Sequence, residues 1–187
     1  TEVPEELKAA VNALLVDSVP EGTLINVAMR LGVGEMGPVA LEALKSGRLD
    51  AVDRREVLQM LAEQREAKAV PLLIAMLNDG PANEDRAAAI DGLQHFKTAE
   101  ATEALVASVP KLDAATGDKA LGVLVSRKES ALKLLQAVDG GAIPPKRVAM
   151  DLLATMQGLN DEAVNALLTK HYGSVRKSPE ELKARMQ

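Results

Sequence analysis

A repeat with a period close to thirty residues constrains the fold of this chain more than any other feature. Five segments align without gaps, and their starts lie 30, 32, 31 and 29 residues apart. They are Val27–Leu31, Val57–Leu61, Ala89–Leu93, Ala120–Leu124 and Ala149–Leu153. A fixed period of about 20 to 50 residues is typical of arrays in which each unit stacks on its neighbours. The sequence therefore predicts a repeat architecture.

A second series of apolar residues lies between these segments at helical spacing. Its members are Val11, Leu14 and Leu15; Val39, Leu41 and Leu44; Val70, Leu73 and Leu77; Ala104, Leu105 and Val109; Leu132, Leu135 and Val138; and Val164, Leu167 and Leu168. Each repeat is therefore predicted to be two helices, with about five helix pairs and a terminal half-repeat. Because one amphipathic pair cannot cover its own apolar face, we expect an all-α, right-handed α-α superhelix, or solenoid.

Turn and capping residues divide the chain in the same way. Asn78–Pro81, Asp139–Gly141 and Gly32–Gly34 follow apolar runs and supply residues that end helices. Ser126 followed by Glu129 predicts a capping box that opens a helix.

Composition excludes several classes of function. The chain has 187 residues with a net charge of -5, which argues against binding nucleic acid through a basic surface. It contains no Cys, so it lacks disulfides, thiolate metal sites and a haem-attachment motif. Neither a signal peptide nor an apolar run of membrane-spanning length is present, so no membrane insertion is expected. The chain begins at Thr1 without Met, and we expect it to be a piece of a longer protein.

One motif offers a competing interpretation, because Gly32–Gly37 matches the dinucleotide-binding pattern G-x-G-x-x-G. The preceding residues alternate as a strand would, but Leu24, Val27, Ala28 and Leu31 also form a helical stripe. No other run of β-branched or aromatic residues could supply the parallel strands of such a fold. We therefore interpret the glycines as an inter-repeat loop.

Other chemistry is sparse. His95 and His171 each lack a second His or Cys at ligand spacing, and no serine stands in a nucleophile motif. Acidic pairs such as Glu5–Glu6 lie in first turns of predicted helices, where the helix dipole favours negative charge. We predict no catalytic, cofactor-binding or metal residue, no cofactor, and no enzyme activity.

The paired helices resemble the HEAT-repeat family of α-solenoids. That family carries an acidic residue in the inner turn and a basic residue about six positions later. Asp79 with Arg86 is the most similar pair, Asp113 with Lys119 is comparable, and Asp50 with Arg55 is weaker. The resemblance implies that these side chains form ladders between repeats.

The stretch from His171 to Lys183 has a narrower resemblance. Its aromatic-Gly dipeptide, basic stretch and capped helix near Pro179-Glu180 are similar to the segment that precedes the cytochrome c domain in large exported, dehydrogenase-like haem proteins of planctomycetes and verrucomicrobia. That family more often has Trp where this chain has Tyr172. The resemblance implies a periplasmic or otherwise exported location and a neighbouring haem domain.

The function implied is a non-catalytic scaffold that positions the neighbouring domains of its parent chain. We expect residues 1–172 to form the repeat domain and 173–187 a linker with a short capped helix. The alternative is a free-standing adaptor that binds a protein partner through its concave face, and the isolated chain is expected to be a monomer. The predicted interaction surface is Arg54, Arg55, Arg86, Lys119, Lys146, Arg147, Tyr172 and Arg176.

Overall fold

The computed structural model describes residues 4–17, 21–33 and 36–173. These residues form eleven α-helices, two short 3-10 helices and no strand, so the predicted all-α class is confirmed. None of these helices combines the length and the apolarity needed to cross a bilayer. The α-helices are α1 (Glu5–Asp17), α2 (Gly22–Leu31), α3 (Met36–Lys45), α4 (Ala51–Glu63), α5 (Ala69–Asp79), α6 (Asn83–Leu93), α7 (Ala99–Ser108), α8 (Ala114–Leu124), α9 (Lys128–Asp139), α10 (Met150–Gln157) and α11 (Glu162–Tyr172), and the 3-10 helices are Val109–Lys111 and Pro145–Arg147.

The two sequence series map onto alternate helices. The five aligned segments lie in the even-numbered helices α2 to α10, except that Ala149 precedes α10, and the second series lies in the odd-numbered helices and the first 3-10 helix. The chain divides into two compact units, residues 1–101 and 102–187, with the boundary inside α7. The superhelical arrangement of the pairs, and a single repeat domain over 1–172, stay predictions.

The first unit is built around α4. This helix packs against α2, α3, α5 and α6, while α1 packs against α2 and α5 against α6. Its largest fully buried side chains are apolar: Ile25, Leu58, Leu61, Leu73, Leu77, Ile90 and Leu93. Burying one such side chain stabilises the fold by about 1.5–3 kcal/mol. Contacts between even-numbered helices thus hold one repeat against the next.

The second unit has a different pattern of helix contacts. Helix α8 packs against α9, and α11 packs against both α9 and α10. Leu121 and Leu124 of α8 and Leu134 and Leu135 of α9 are fully buried. The core of this unit is therefore aliphatic as well. Aliphatic side chains fill the interior of both units, so the chain can fold with only two aromatic residues.

Helix ends are fixed by local polar contacts. Asp50, Asp113 and Asp161 each accept a hydrogen bond from the backbone N–H three residues later, at 2.8, 2.9 and 3.1 Å, and so begin α4, α8 and α11. Gly32 ends α2 with a left-handed φ of 66°, and its N–H donates to Met29. Two of the acids in the HEAT-like pattern, Asp50 and Asp113, are therefore helix caps.

The predicted capping box at Ser126 is wrong. Helix α9 begins at Lys128 after Arg127, whose side chain makes no cap, and the Ser126 hydroxyl donates to the Val123 carbonyl at 2.7 Å. Ser126 therefore closes α8 instead of opening α9. The hydroxyl that lies next to the start of α9 belongs to buried Ser130, which donates to the Leu124 carbonyl at 2.6 Å.

The fifth aligned segment is the most irregular. Ala149 lies before α10 as its cap residue, and Met150 is 69 % exposed, whereas the residue that matches Met150 is buried in all four preceding segments. The Pro144–Pro145 pair explains this late start, because a residue that precedes a proline is disfavoured in the α conformation, and Pro144 is extended at ψ 136°. A 3-10 helix over Pro145–Arg147 takes the place of the first helical turn.

Candidate functional site

Polar side chains separated by one repeat length meet at several places within each unit. Each of these hydrogen bonds joins residues 29 to 31 positions apart. The pairs are Asn26 with Glu56, Arg55 with Asp85, Lys133 with Glu103, Arg147 with Asp118, and Lys170 with Asp139. Four of the pairs join alternate helices, and the fifth joins the second 3-10 helix to α8, so these polar contacts hold neighbouring repeats together.

Asp85 is the most buried member of these pairs. Its side chain is fully buried at the start of α6, where it accepts a hydrogen bond from Arg55 Nη1 at 2.8 Å. The Ala82 N–H donates to its second oxygen at 3.3 Å, and Arg54 Nη2 lies 3.7 Å away. Burial raises the pKa of Asp85, but the hydrogen bonds from Arg55 and Ala82 and the charge of Arg54 outweigh it. The net result is a lowered pKa, so the buried group is an ionised carboxylate at neutral pH.

The Arg147 guanidinium crosses from its 3-10 helix to α8. Its Nη1 donates to Asp118, and its Nη2 donates to the Ala114 carbonyl at 3.1 Å. Gly117 makes this route possible, because a Cβ placed there would lie 2.1 Å from Nη2. The Ala114 carbonyl lies in the first turn of α8, so Arg147 binds one exposed carboxylate and one backbone acceptor.

Helix α11 is tied to the rest of its unit by three consecutive residues. Lys170 donates to Asp139 Oδ1, and His171 Nε2 lies 2.7 Å from the same oxygen. The Tyr172 hydroxyl donates to the Pro145 carbonyl at 3.1 Å. The hydrogen bonds from Lys170 and His171 lower the pKa of Asp139, and burial raises the pKa of Tyr172. The end of α11 is thus anchored by polar contacts.

A groove of about 730 Å³ lies along α2, α4 and α6 in the first unit. Arg30 of α2 lines one side and Ala87 and Ala88 of α6 the other. The remaining lining residues are Arg55, Glu56, Gln59, Met60 and Glu63 of α4 and Glu84 and Asp91 of α6. Carboxylates outnumber guanidinium groups in this set, so the groove is acidic.

The predicted interaction surface divides between structural and exposed groups. Arg54 and Arg55 converge on Asp85, and Arg147 binds Asp118 and Ala114. Of the other members, Arg86 Nη1 donates to Asn83 at 3.3 Å, and the Tyr172 hydroxyl donates to the Pro145 carbonyl. Lys119 lies exposed on α8, and Lys146 lies exposed in the second 3-10 helix. Arg176 lies outside the described residues. Whether these residues bind a partner stays a prediction.

Sequence reasoning did not single out Asp85 or Asp118 as acids of the inter-repeat contacts, and it used Asp139 only as a turn residue. It paired Arg55 with Asp50, a residue that caps α4. Asp85 could have been found, because it lies 30 residues from Arg55, which is close to one repeat length. The available signal was that a basic and an acidic residue, Arg55 and Asp85, are separated by about one repeat length.

The glycine motif and the histidines have ordinary surroundings. The residues before Gly32 are helical, so the strand alternative for 25–31 is wrong, while Gly34 lies outside the described residues. His95 is half-buried just after α6, and His171 contacts Asp139. In the described ranges, three or more His, Asp or Glu side chains nowhere converge in a group that could hold a metal ion.

Comparison with known proteins adds no further assignment. No protein-family model, curated protein or solved structure matches this chain. The observations that bear on function are therefore the contacts between repeats and the shape and charge of the groove.

Proposed function

We propose that this chain is a non-catalytic helical-repeat scaffold of the HEAT-like kind. The observation that carries the proposal is the set of polar pairs one repeat length apart, from Asn26–Glu56 to Asp139–Lys170. Such pairs fix the offset between neighbouring helix pairs, and a fixed offset is what a scaffold needs to hold other domains at set positions.

The resemblance near residue 171 supports a more specific context. There the scaffold is an exported, periplasmic segment that lies between a dehydrogenase-like domain and a haem domain of one parent chain. The anchoring of Tyr172 to Pro145 supports this, because a firmly held α11 fixes the position of the chain that follows it relative to the repeats.

The parent open reading frame tests this context. A Cys-x-x-Cys-His motif within about a hundred residues after Gln187 is expected, because that motif attaches c-type haem. A stop codon in that interval would reject the haem-protein context and leave the scaffold as a separate protein.

The free-standing adaptor is the second candidate, and the groove of the first unit favours it. A cleft of about 730 Å³ along three helices offers a partner more surface than a flat helix face would. The adaptor should be a folded monomer on its own, which sedimentation velocity measures, and a stop codon after Gln187 together with that result would select it over the multidomain scaffold.

A further inference from the structure

We propose that the groove along α2, α4 and α6 docks a basic, extended segment of a partner protein. This inference rests on the scaffold or adaptor function proposed above and names the chemistry of its partner. It concerns only the first unit.

The charge of the groove selects a basic occupant. Glu56, Glu63 and Glu84 are exposed along it. Of its two arginines, Arg55 already donates to the buried carboxylate of Asp85, and that carboxylate balances its positive charge. Arg30 is left against an excess of carboxylates, and a Lys- or Arg-bearing segment complements that excess.

The floor of the groove favours a peptide over a folded surface. Ala87 and Ala88 of α6 have small side chains, so a backbone can approach α6 closely. Met60 supplies one adaptable apolar contact on α4. From Arg55 to Glu63 the helix axis rises about 12 Å, which is the length of about four extended residues.

A second copy of this chain is a poorer occupant. The chain carries a net charge of -5, so two copies repel each other as they approach. A basic segment gains from the same field, because the whole protein attracts it before it docks.

Fluorescence anisotropy with the intact 187-residue chain tests this proposal. The probe is a fluorescein-labelled dodecapeptide made of repeated Ala-Lys-Ala-Arg, and the comparison probe replaces Lys with Glu and Arg with Asp. We expect the basic probe to bind, the acidic probe to stay free, and affinity to fall as salt rises from about 50 to about 500 mM, because exposed charges are screened.

Two matched double variants locate the contact. Glu63→Gln with Glu84→Gln removes two exposed carboxylates from the groove, whereas Glu42→Gln with Glu100→Gln removes two exposed carboxylates outside it. The groove variant should weaken binding of the basic probe roughly fivefold or more, while the control variant stays within about twofold, since the value of an exposed ion pair is local. Circular dichroism shows that both variants keep their helices.

Methyl NMR of the methionines gives an independent location. The Met60 methyl signal should shift when the basic probe is added, while that of Met156, buried in the second unit, should not.

Several outcomes would overturn the proposal: no binding of the basic probe, equal binding of the acidic probe, equal weakening by both variants, or an unmoved Met60 signal. A dimer that the groove variant dissociates would identify a second copy as the occupant and also overturn it. None of these results bears on the proposed scaffold function, because its multidomain context is tested by the reading frame after Gln187. A failure of the peptide-binding proposal is therefore distinguishable from a failure of the scaffold proposal.

Discussion

Arg55 donates from Nη1 to Oδ1 of Asp85 across 30 residues of sequence, at 2.8 Å. The carboxylate is fully buried, whereas the side chain of Arg55 is 26 % exposed. The contact therefore joins α4 to α6 with one partner inside the protein and the other at its surface. It also sets the start of α6, because the same carboxylate accepts the Ala82 N–H.

We expect Arg55→Ala to lower the free energy of unfolding by about 3 kcal/mol, because it leaves a buried carboxylate with weaker partners. Arg54, at 3.7 Å, and the Ala82 N–H are what remains for Asp85. Chemical denaturation followed by circular dichroism measures the change.

Arg86→Ala is the matched control for this variant. Arg86 is also an arginine of the first unit, but it contacts Asn83 on its own helix at 3.3 Å. Its removal should change the free energy of unfolding by less than about 0.5 kcal/mol. Equal losses in the two variants would show that the Asp85 contact does not hold α4 and α6 together.

Acid should weaken the protein through the same carboxylate. The pKa of Asp85 is lower in the folded protein than in the unfolded chain, so its contribution to stability is complete above the unfolded pKa. That contribution is lost as the pH falls through the folded pKa, because protonation then removes the charge that Arg55 binds. Asp85→Asn should therefore be less stable than the natural protein at neutral pH.

The difference in the free energy of unfolding between the natural protein and Asp85→Asn should shrink steadily below about pH 4. Denaturation midpoints measured at intervals between about pH 2 and pH 7 show this directly. A difference that stays constant over this range would mean that Asp85 does not titrate with folding.

The helical class and the helix pairs were predictable because apolar spacing determines them. Leu58, Leu61, Ile90 and Leu93 recur at equivalent positions, and burial of one side of each helix needs no other information. Helix starts were less predictable, as Ser126 shows. A serine and a glutamate three residues apart also suit a hydroxyl that closes the preceding helix, and only packing decides between the two.

The inter-repeat contacts were only partly predictable. The resemblance implied ladders, but two of the three acids it singled out, Asp50 and Asp113, cap their own helices, and Arg86, which it paired with Asp79, donates to Asn83. A carboxylate close to a helix start has two competing uses, and the local cap needs no neighbouring repeat. Asp85 serves both uses at once, because one of its oxygens accepts the Ala82 N–H at the start of α6 and the other accepts from Arg55.

Gly117→Ala should stabilise the protein less than Gly122→Ala does, although alanine favours a helix over glycine by about 1 kcal/mol at either position. The new Cβ would lie 2.1 Å from Nη2 of Arg147 and would displace the guanidinium from Ala114 and Asp118. Gly122 lies in the same helix, and a Cβ added there would meet open space. Gly122→Ala should therefore stabilise the protein. The midpoint of thermal unfolding should therefore rise less in Gly117→Ala than in Gly122→Ala, and equal rises would contradict the role of Gly117.

Tyr172 reports on the anchoring of α11 without interference, because it is the single tyrosine and the chain has no Trp. Burial raises its pKa, so ultraviolet titration of the folded protein should give a midpoint above that of a free tyrosine, about 10. In denaturant the midpoint should return to the free value. Lys170→Ala with His171→Ala removes both contacts to Asp139 and should bring the folded midpoint down toward the free value, since α11 is then held less firmly. A midpoint in the natural protein equal to that of the denatured chain would show that the end of α11 is not packed as described.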